Sequence, residues 1–447
     1  LVPDNRWDLV GDTSPTPSVS VVIPYYNQPH QLALVLEALA AQSYPVEKME
    51  VVIADDGSAE SPEVDRWRSQ LAVTVVTQED KGFRAAAARN LGASSSTGSV
   101  LCFLDADTVP TIDYVRRAVR LPASAPDTLV VGRRKHADLS EITEGSVVTW
   151  LAANSHLERT HSSEPQWLVD AYERTGNLLE PGWDGYKYMI SAVMTCSRDL
   201  FEDIGGFDES FVGYGGEDWE LANRAFMMGA VFVHESAAVA WHDGPDWADR
   251  AVPDRLSQKN AEALALVPLI TDPAARSSGL LYAIPDVVVV LSTDSHTPAS
   301  LIQTVSSALR DVDAAVWLTG DRADVLYREL GVQDSRIRVG SPDRETVSRC
   351  RYVVEVVGRV VFSAGSISRL ADELSPERAG RVDVDFDTRQ PASVTMWSSR
   401  AQHRTRRWAG QTELSESELT RRLFGVRHLP HSEVGIVVAE SDPSLSW

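Results

Sequence analysis

Hydrophobic positions in the first quarter of the chain alternate between short β-branched runs and stretches with helical spacing. SVSVVIP (18–24) reads as a buried strand, HQLALVLEALAAQ (30–42) as a helix, MEVVIADDG (49–57) as a second strand and VTVVTQ (73–78) as a third. GFRAAAARNLGASSS (82–96) predicts an alanine-rich helix, and SVLCFLDAD (99–107) a fourth strand that ends in acid. This alternation builds a parallel sheet with helices on both faces, a nucleotide-binding type of α/β fold. In open sheets of that type ligands sit beyond the carboxyl ends of the strands, where PYYN (24–27), ADDGS (54–58) and LDAD (104–107) fall.

The stretch PLITDPAARSSGLLYAIPD (268–286), rich in Pro, Ser and Gly, predicts a domain edge, giving domains over 1–275 and 280–447. The second half repeats the pattern of the first. VVVLSTDSHTPASLIQTVSSAL (288–309) echoes the segment 20–40, AVWLTGDR (315–322) echoes 50–57, and YVVEVVGRVVFSAGSISRLADEL (352–374) echoes the segment that starts at Val100. In that alignment Val357 and Arg359 stand where the first copy has Asp105 and Asp107. A second, degenerate domain of the same α/β pattern is therefore expected, serving as dimer interface, acceptor-docking surface or inert scaffold.

With 447 residues, 43% of them hydrophobic, the chain has material for two cores. No apolar run approaches the roughly 18 to 20 residues that span a bilayer, and LVPDNRWDLVGD has neither a basic start nor an apolar segment. A cytoplasmic protein without a transmembrane segment is the expectation. Cys102, Cys196 and Cys350 lack paired spacing and read as core thiols, not a disulfide framework or zinc site. A formal net charge of −22 argues against a nucleic-acid partner, and the short basic cluster RAQHRTRRWAG (400–410) reads as a solvated face or a local partner for acidic residues. An acidic chain still binds an anionic ligand where a metal ion or placed arginines supply positive charge.

The candidate chemistry lies at the strand ends. Asp105 and Asp107, two apart at the end of a strand, are expected to point to one side and can hold a hard divalent cation; capping of a turn is the competing reading. His242, in AVAWHDGP, ends a predicted strand and would add an imidazole ligand suited to Mn²⁺, or only bond to backbone; His234 is a weaker candidate of the same kind. Asp55 and Asp56 could accept a hydrogen from a uracil or close an Asx turn. Arg84 and Arg89 could each reach a phosphate or lie in a salt-bridging face. In GYGGEDWELANR (213–224) glycines lead into adjacent carboxylates, Glu217 and Asp218, which could face a ligand or only complement a helix N-terminus.

Taken together, KGFRAAAARNLGASSSTGSVLCFLDADTVP (81–110), VGRRKHAD (131–138), GGFDESFVGYGGEDWELANR (205–224) and AWHDGP (240–245) resemble the family 2 inverting glycosyltransferases of the GT-A fold. The likeness is greatest to the chondroitin-polymerase and β-1,4-galactosyltransferase-like branch, and it covers residues 18 to about 250. It implies a metal-dependent enzyme that moves a sugar from a UDP-sugar to an acceptor hydroxyl, with Mn²⁺ or Mg²⁺ as cofactor. By position it implies Pro24 and Tyr26 in the nucleobase pocket, Asp55 at the uracil, and Arg84 near base or phosphates, with Arg89 a further phosphate candidate. It places Asp105 and Asp107 at the DxD positions, Asp107 as the direct metal ligand and His242 as the third protein ligand. Asp218 matches the general base, Glu217 the residue that orients sugar hydroxyls, and Tyr214 stands where relatives carry Trp. The insertion at 143–188, with Trp150, Trp167 and Trp183, is expected to face the acceptor. A non-catalytic nucleotide-sugar or glycan-binding module is the alternative, and a nucleotidyltransferase is disfavoured because PYYNQ replaces a glycine-rich phosphate loop.

Overall fold

The apolar run starting at Val19 becomes the centre of a sheet. The computed structural model describes residues 1–213, 215–244, 255–276, 279–310, 312–375, 378–388 and 390–446. In it β1 (Val19–Tyr25) lies parallel between β2 (Met49–Asp55) and β4 (Val100–Leu104), and β3 (Ala72–Thr77) extends β2. The helix Ala85–Ser94 packs on β1 and β2. Its alanines and Gly92 permit that approach, since a Cβ on Gly92 would fall 2.4 Å from Val22 Cγ1.

Beyond β4 the strands change direction. With β5 (Thr108–Pro110), β6 (Thr128–Ala137), β7 (Val193–Ser197) and β8 (Val231–Asp243), the order is β3-β2-β1-β4-β7-β6-β8-β5. β7 runs antiparallel to β4 and β6, β8 parallel to β6, and β5 antiparallel to β8. The β5–β8 pairing sets Thr108 opposite His242, so the acid turn after β4 closes on a residue far along the chain. The β6–β8 ladder slips between Gly132 and Arg133, whose partners are Glu235 and Val239.

Contacts divide the chain into two compact units, 1–225 with 230–266 and 226–229 with 267–447. The division at Leu266/Val267 precedes the Pro- and Gly-rich stretch expected to mark it. The reason is local bonding: Thr271 Oγ1 donates to Arg349 O at 2.9 Å, and Arg276 pairs with Asp313 at 2.7 Å.

The second unit contains β9 (Val287–Ser292), β10 (Ala314–Thr319), β11 (Ile337–Val339), β12 (Tyr352–Val357), β13 (Val360–Phe362), β14 (Arg381–Asp385), β15 (Ser393–Ser398), β16 (Val426–Pro430) and β17 (Ile436–Val438). Its sheet order, β11-β10-β9-β12-β15-β14-β16, repeats that of β3-β2-β1-β4-β7-β6-β8, with each pairing in the same sense. Val19 pairs with Val100 as Val287 pairs with Tyr352, which puts Val357 and Arg359 at the positions of Asp105 and Asp107. β13 and β17 pair as β5 and β8 do, which puts Val438 at the position of His242. Even the helix caps correspond: Ser197 accepts from Leu200 N, and Ser398, its counterpart, accepts from Ala401 N.

Among the described residues no helix is long and apolar enough to cross a membrane. Ser197 both caps its helix and donates to Pro126 O at 2.7 Å, so Ser197→Ala is expected to lower the unfolding free energy of the first unit by about 1–2 kcal/mol. Chemical denaturation monitored by circular dichroism checks this.

Candidate active site

Arg89, on the inner face of the helix Ala85–Ser94, lies at the centre of the site. Its Nη2 is 2.8 Å from Asp105 Oδ1 and its Nη1 is 3.0 Å from Glu217 Oε1. The guanidinium side chain is only 4% exposed and lies over the Phe207 ring at 5.4 Å. Burial opposes its charge, but the Asp105 and Glu217 carboxylates outweigh that effect and hold its pKa above the usual value. Arg89, expected as a phosphate candidate, thus pairs with two acids of its own unit, as in the salt-bridging alternative.

The acid turn also departs from its sequence reading. β4 ends at Leu104, so Asp105 and Asp107 lie in a turn and strand alternation does not govern them. Asp105 turns to Arg89, whereas Asp107 Oδ1 lies 3.8 Å from His242 Nδ1. The backbone locks this second pair, since Asp243 N donates to Asp107 O at 2.9 Å. His136, opposite His242 in the β6–β8 ladder, brings its ring centroid within 5.0 Å of the His242 ring, and its Nδ1 is 3.0 Å from Gly244 O. Asp243 accepts from Leu139 N at 2.9 Å and from Gln31 Nε2 at 3.4 Å. Sequence reading missed His136, Asp243 and Gln31. The quoted VGRRKHAD held the signal for His136, but only the parallel register shows that it faces the His242 row.

At the ends of β1 and β2, Asp55 is buried and its Oδ1 accepts from Ser58 N at 2.9 Å, the Asx-turn role. Asp56 accepts from Gln78 Nε2 at 2.6 Å, from Arg84 N at 2.8 Å and from Arg84 Nη2 at 3.2 Å. Pro24 lies opposite Ala54 at the end of the β1–β2 ladder, and Tyr26 is 45% exposed, its hydroxyl 3.3 Å from Asp80 Oδ2. The structure thus gathers Pro24, Tyr26, Asp55 and Arg84 at one end of the sheet.

The glycines of GYGGED have the conformations that make them necessary: Gly215 and Gly216 have φ of 89° and 97°, and a Cβ on Gly216 would lie 2.8 Å from the Phe211 ring. Tyr214 lies outside the described residues. The helix Glu217–Met227 begins at the acid pair, with Glu217 held by Arg89 and Glu220 by Arg224 at 2.6 Å. Asp218 instead accepts from Trp219 N at 2.9 Å. Burial, then the neighbouring Glu217 charge, raises its carboxyl to about 7, with Arg89 opposing and Glu262 reinforcing the shift. Glu262 approaches from the helix Arg255–Leu266, its Cδ 3.3 Å from where a Gly215 Cβ would stand.

Among the described residues no group of three His, Cys, Asp or Glu side chains is arranged to hold a metal ion. The donor set that fits a divalent cation is the carboxylate and imidazole of Asp107 and His242; Asp105, expected as a further ligand, has its Oδ1 on Arg89. His234, the weaker histidine candidate, stacks on Tyr172 at 3.6 Å, away from this pair. Of the tryptophans in the insertion, Trp150 packs edge-on against Trp241 at 5.4 Å, while Trp167 is 44% exposed.

Residues 20–169 match Glycosyl transferase family 2, and residues 183–233 match the family described as the N-terminal domain of galactosyltransferase. The first unit therefore carries a glycosyl transferase family 2 domain. Relatives include the chondroitin synthase of Escherichia coli, 27% identical over 74% of this chain and 52% of its own length. Validoxylamine A glucosyltransferase of Streptomyces hygroscopicus is 30% identical over 58% of this chain and 61% of its own. Glycosyltransferase AglE of Haloferax volcanii is 36% identical over 50% of this chain and 66% of its own. The chain spans about half the length of the chondroitin synthase it matches.

The Asp218 carboxyl has a folded-state pKa above its ordinary value, so its contribution to stability is full below about pH 4 and is lost as the pH rises through about 7. Asp218→Asn removes that charge. The variant is expected to melt at a higher temperature than the parent at pH 8 and at about the same temperature near pH 4, a difference that thermal denaturation across pH measures.

Proposed function

We propose that the first unit catalyses metal-dependent, inverting transfer of a sugar from a UDP-sugar to an acceptor hydroxyl. The observation that carries this reading is the buried Arg89 bridge, which fixes the acid turn after β4 to the first residue of the Glu217–Met227 helix. Donor-side and acceptor-side acids are thereby held in one charge network, an arrangement a passive nucleotide-binding module has no need of.

In this reading the base rests against the ends of β1 and β2, beside the exposed Tyr26, with Arg84 at the rim. Asp107 and His242 would hold the divalent cation, which when bound neutralises charge developing on the leaving diphosphate. Asp218 takes the proton of the attacking hydroxyl. A carboxyl raised to about 7 suits that task, since it is basic enough to accept a proton yet largely ionised just above neutrality. The Trp219 N–H directs one Asp218 oxygen, and Glu217, fixed by Arg89, is positioned to bind sugar hydroxyls through its second oxygen. Attack opposite the leaving group inverts the anomeric centre without a covalent enzyme intermediate.

The acceptor class we infer is a hydroxyl-rich molecule of saccharide type. The names of the relatives, one a glycan synthase and one a glucosyltransferase named for validoxylamine A, support that choice. The second unit is read as non-catalytic. In place of the carboxylate–imidazole pair it has Arg359 and Val438, and the Arg359 guanidinium lies 2.8 Å from Asp442 and 2.8 Å from Ser295 O.

Asp218→Asn is expected to cut turnover by a factor on the order of 10² or more while UDP binding measured by calorimetry stays within a few fold. In the parent enzyme kcat/KM should fall as the pH drops below about 7, with a limb that follows protonation of Asp218; strong residual transfer by the variant would remove Asp218 from the base role. Chelation by EDTA is expected to abolish transfer and added Mn²⁺ to restore it. Undiminished transfer without metal would contradict the assignment of Asp107 and His242.

A further inference from the structure

In the second unit the position of Asp107 belongs to a cation, and that cation holds a carboxylate. The correspondence extends to the backbone: Ala439 N donates to Arg359 O at 2.8 Å, as Asp243 N donates to Asp107 O at 2.9 Å. Arg359 Nη1 donates to Asp442 Oδ1 at 2.8 Å, and Thr297 Oγ1 donates to the same oxygen at 2.9 Å. Arg359 Nε is fixed on Ser295 O at 2.8 Å, which anchors the guanidinium independently of Asp442. Thr297 is anchored as well, its Oγ1 accepting from Ser300 N where the helix Pro298–Ala308 begins. The first unit has a longer version of this contact, since Gln31, near the start of the helix Pro29–Ala40, reaches Asp243 at 3.4 Å.

The carboxylate is a loosely held occupant. The Arg359 and Asp442 side chains are 23% and 46% exposed, and an ion pair that open to water favours its closed form by about fivefold at most. Among the described residues Arg359 Nη2 and Asp442 Oδ2 make no hydrogen bond, so the pair rests on one oxygen where the guanidinium fork can hold two. Other charged or titratable groups of the same loops are turned elsewhere. Asp294 Oδ2 accepts from Ser292 Oγ at 3.2 Å, and its Oδ1 lies 2.4 Å from where a Gly320 Cβ would stand. His296 is 2% exposed, with Nε2 3.1 Å from Gly358 O. An oxyanion with two or more free oxygens can therefore use the Arg359 fork and the Thr297 hydroxyl more fully than Asp442 does.

We propose that Arg359 and Thr297 form an oxyanion site in the second unit, filled by Asp442 in the free chain, that takes a diphosphate without a metal ion. The choice of diphosphate rests on the reading of the first unit, where the matching position bears the cation for that group; the oxyanion site itself does not.

The test uses the full chain in EDTA, where the metal-dependent transfer proposed for the first unit does not run. Pyrophosphate is titrated by calorimetry and by nitrogen-15 NMR of the Arg359 Nε–H. Saturable binding with a shift of that resonance is expected. Asp442→Asn removes the competing charge and should tighten pyrophosphate binding severalfold, whereas Arg359→Ala should weaken it by at least about tenfold. The two variants are expected to move in opposite directions, and the exposed Asp442 position keeps the test open if Arg359→Ala does not fold. Acetate, the carboxylate probe, should bind at least about tenfold more weakly than pyrophosphate; equal affinity would overturn the choice of diphosphate. No saturable binding by Asp442→Asn, or one affinity shared by the parent and both variants, would overturn the site. Failure of the metal-loaded chain to transfer sugar, with this binding intact, would count against the reading of the first unit alone.

Discussion

The site depends on one buried cation. Arg89 is covalently part of the helix that packs on β1 and β2, yet its two ion pairs reach the turn after β4 and the start of the helix after the glycine loop. A buried guanidinium is tolerable only when its charge is matched, and removing one partner of such a network leaves an uncompensated charge costing about 3–5 kcal/mol. The geometry that positions the acids is therefore the same geometry that makes burying Arg89 possible. Any change that swings the loop away also exposes the folded state to that cost.

Three acids crowd the first turn of the helix Glu217–Met227, and each has a different fate. Glu217 is neutralised by Arg89 and Glu220 by Arg224, while Asp218 accepts from a backbone N–H and stands near further negative charge from Glu262. The helix N-terminus favours all three. It does not offset burial and the neighbouring Glu217 charge, which raise the Asp218 carboxyl. The residue assigned the proton-accepting role is thus the one whose ionised form the fold stabilises least, a local cost of the kind expected where reactivity is needed.

The second unit shows what the scaffold keeps when these acids are replaced. Its sheet order and ladder registers match those of the first unit, and even the cap at Ser398 is kept. The acids are not. Val357, Arg359 and Val438 replace Asp105, Asp107 and His242, and Arg359 supplies internally the positive charge that a cation would bring. The apolar pattern is kept in both units, so the acid positions can change without losing the sheet order.

The sequence by itself determined the strands and helices around the site, the repeat and the identity of the acid pairs, because apolar periodicity and strand-end acids are local signals. It even aligned Val357 and Arg359 with Asp105 and Asp107, a match that the ladder registers reproduce. The tertiary structure decided which partner each charged group takes. Asp105 and Asp107 look alike two residues apart, but one faces Arg89 and the other His242, because the chain leaves its ladder between Leu104 and Thr108. Arg89, a phosphate candidate by sequence, is buried and paired with two carboxylates, and His136 gains its place only through a parallel register with β8. Charge pairing and strand register join residues far apart in the chain, so no local pattern can encode them.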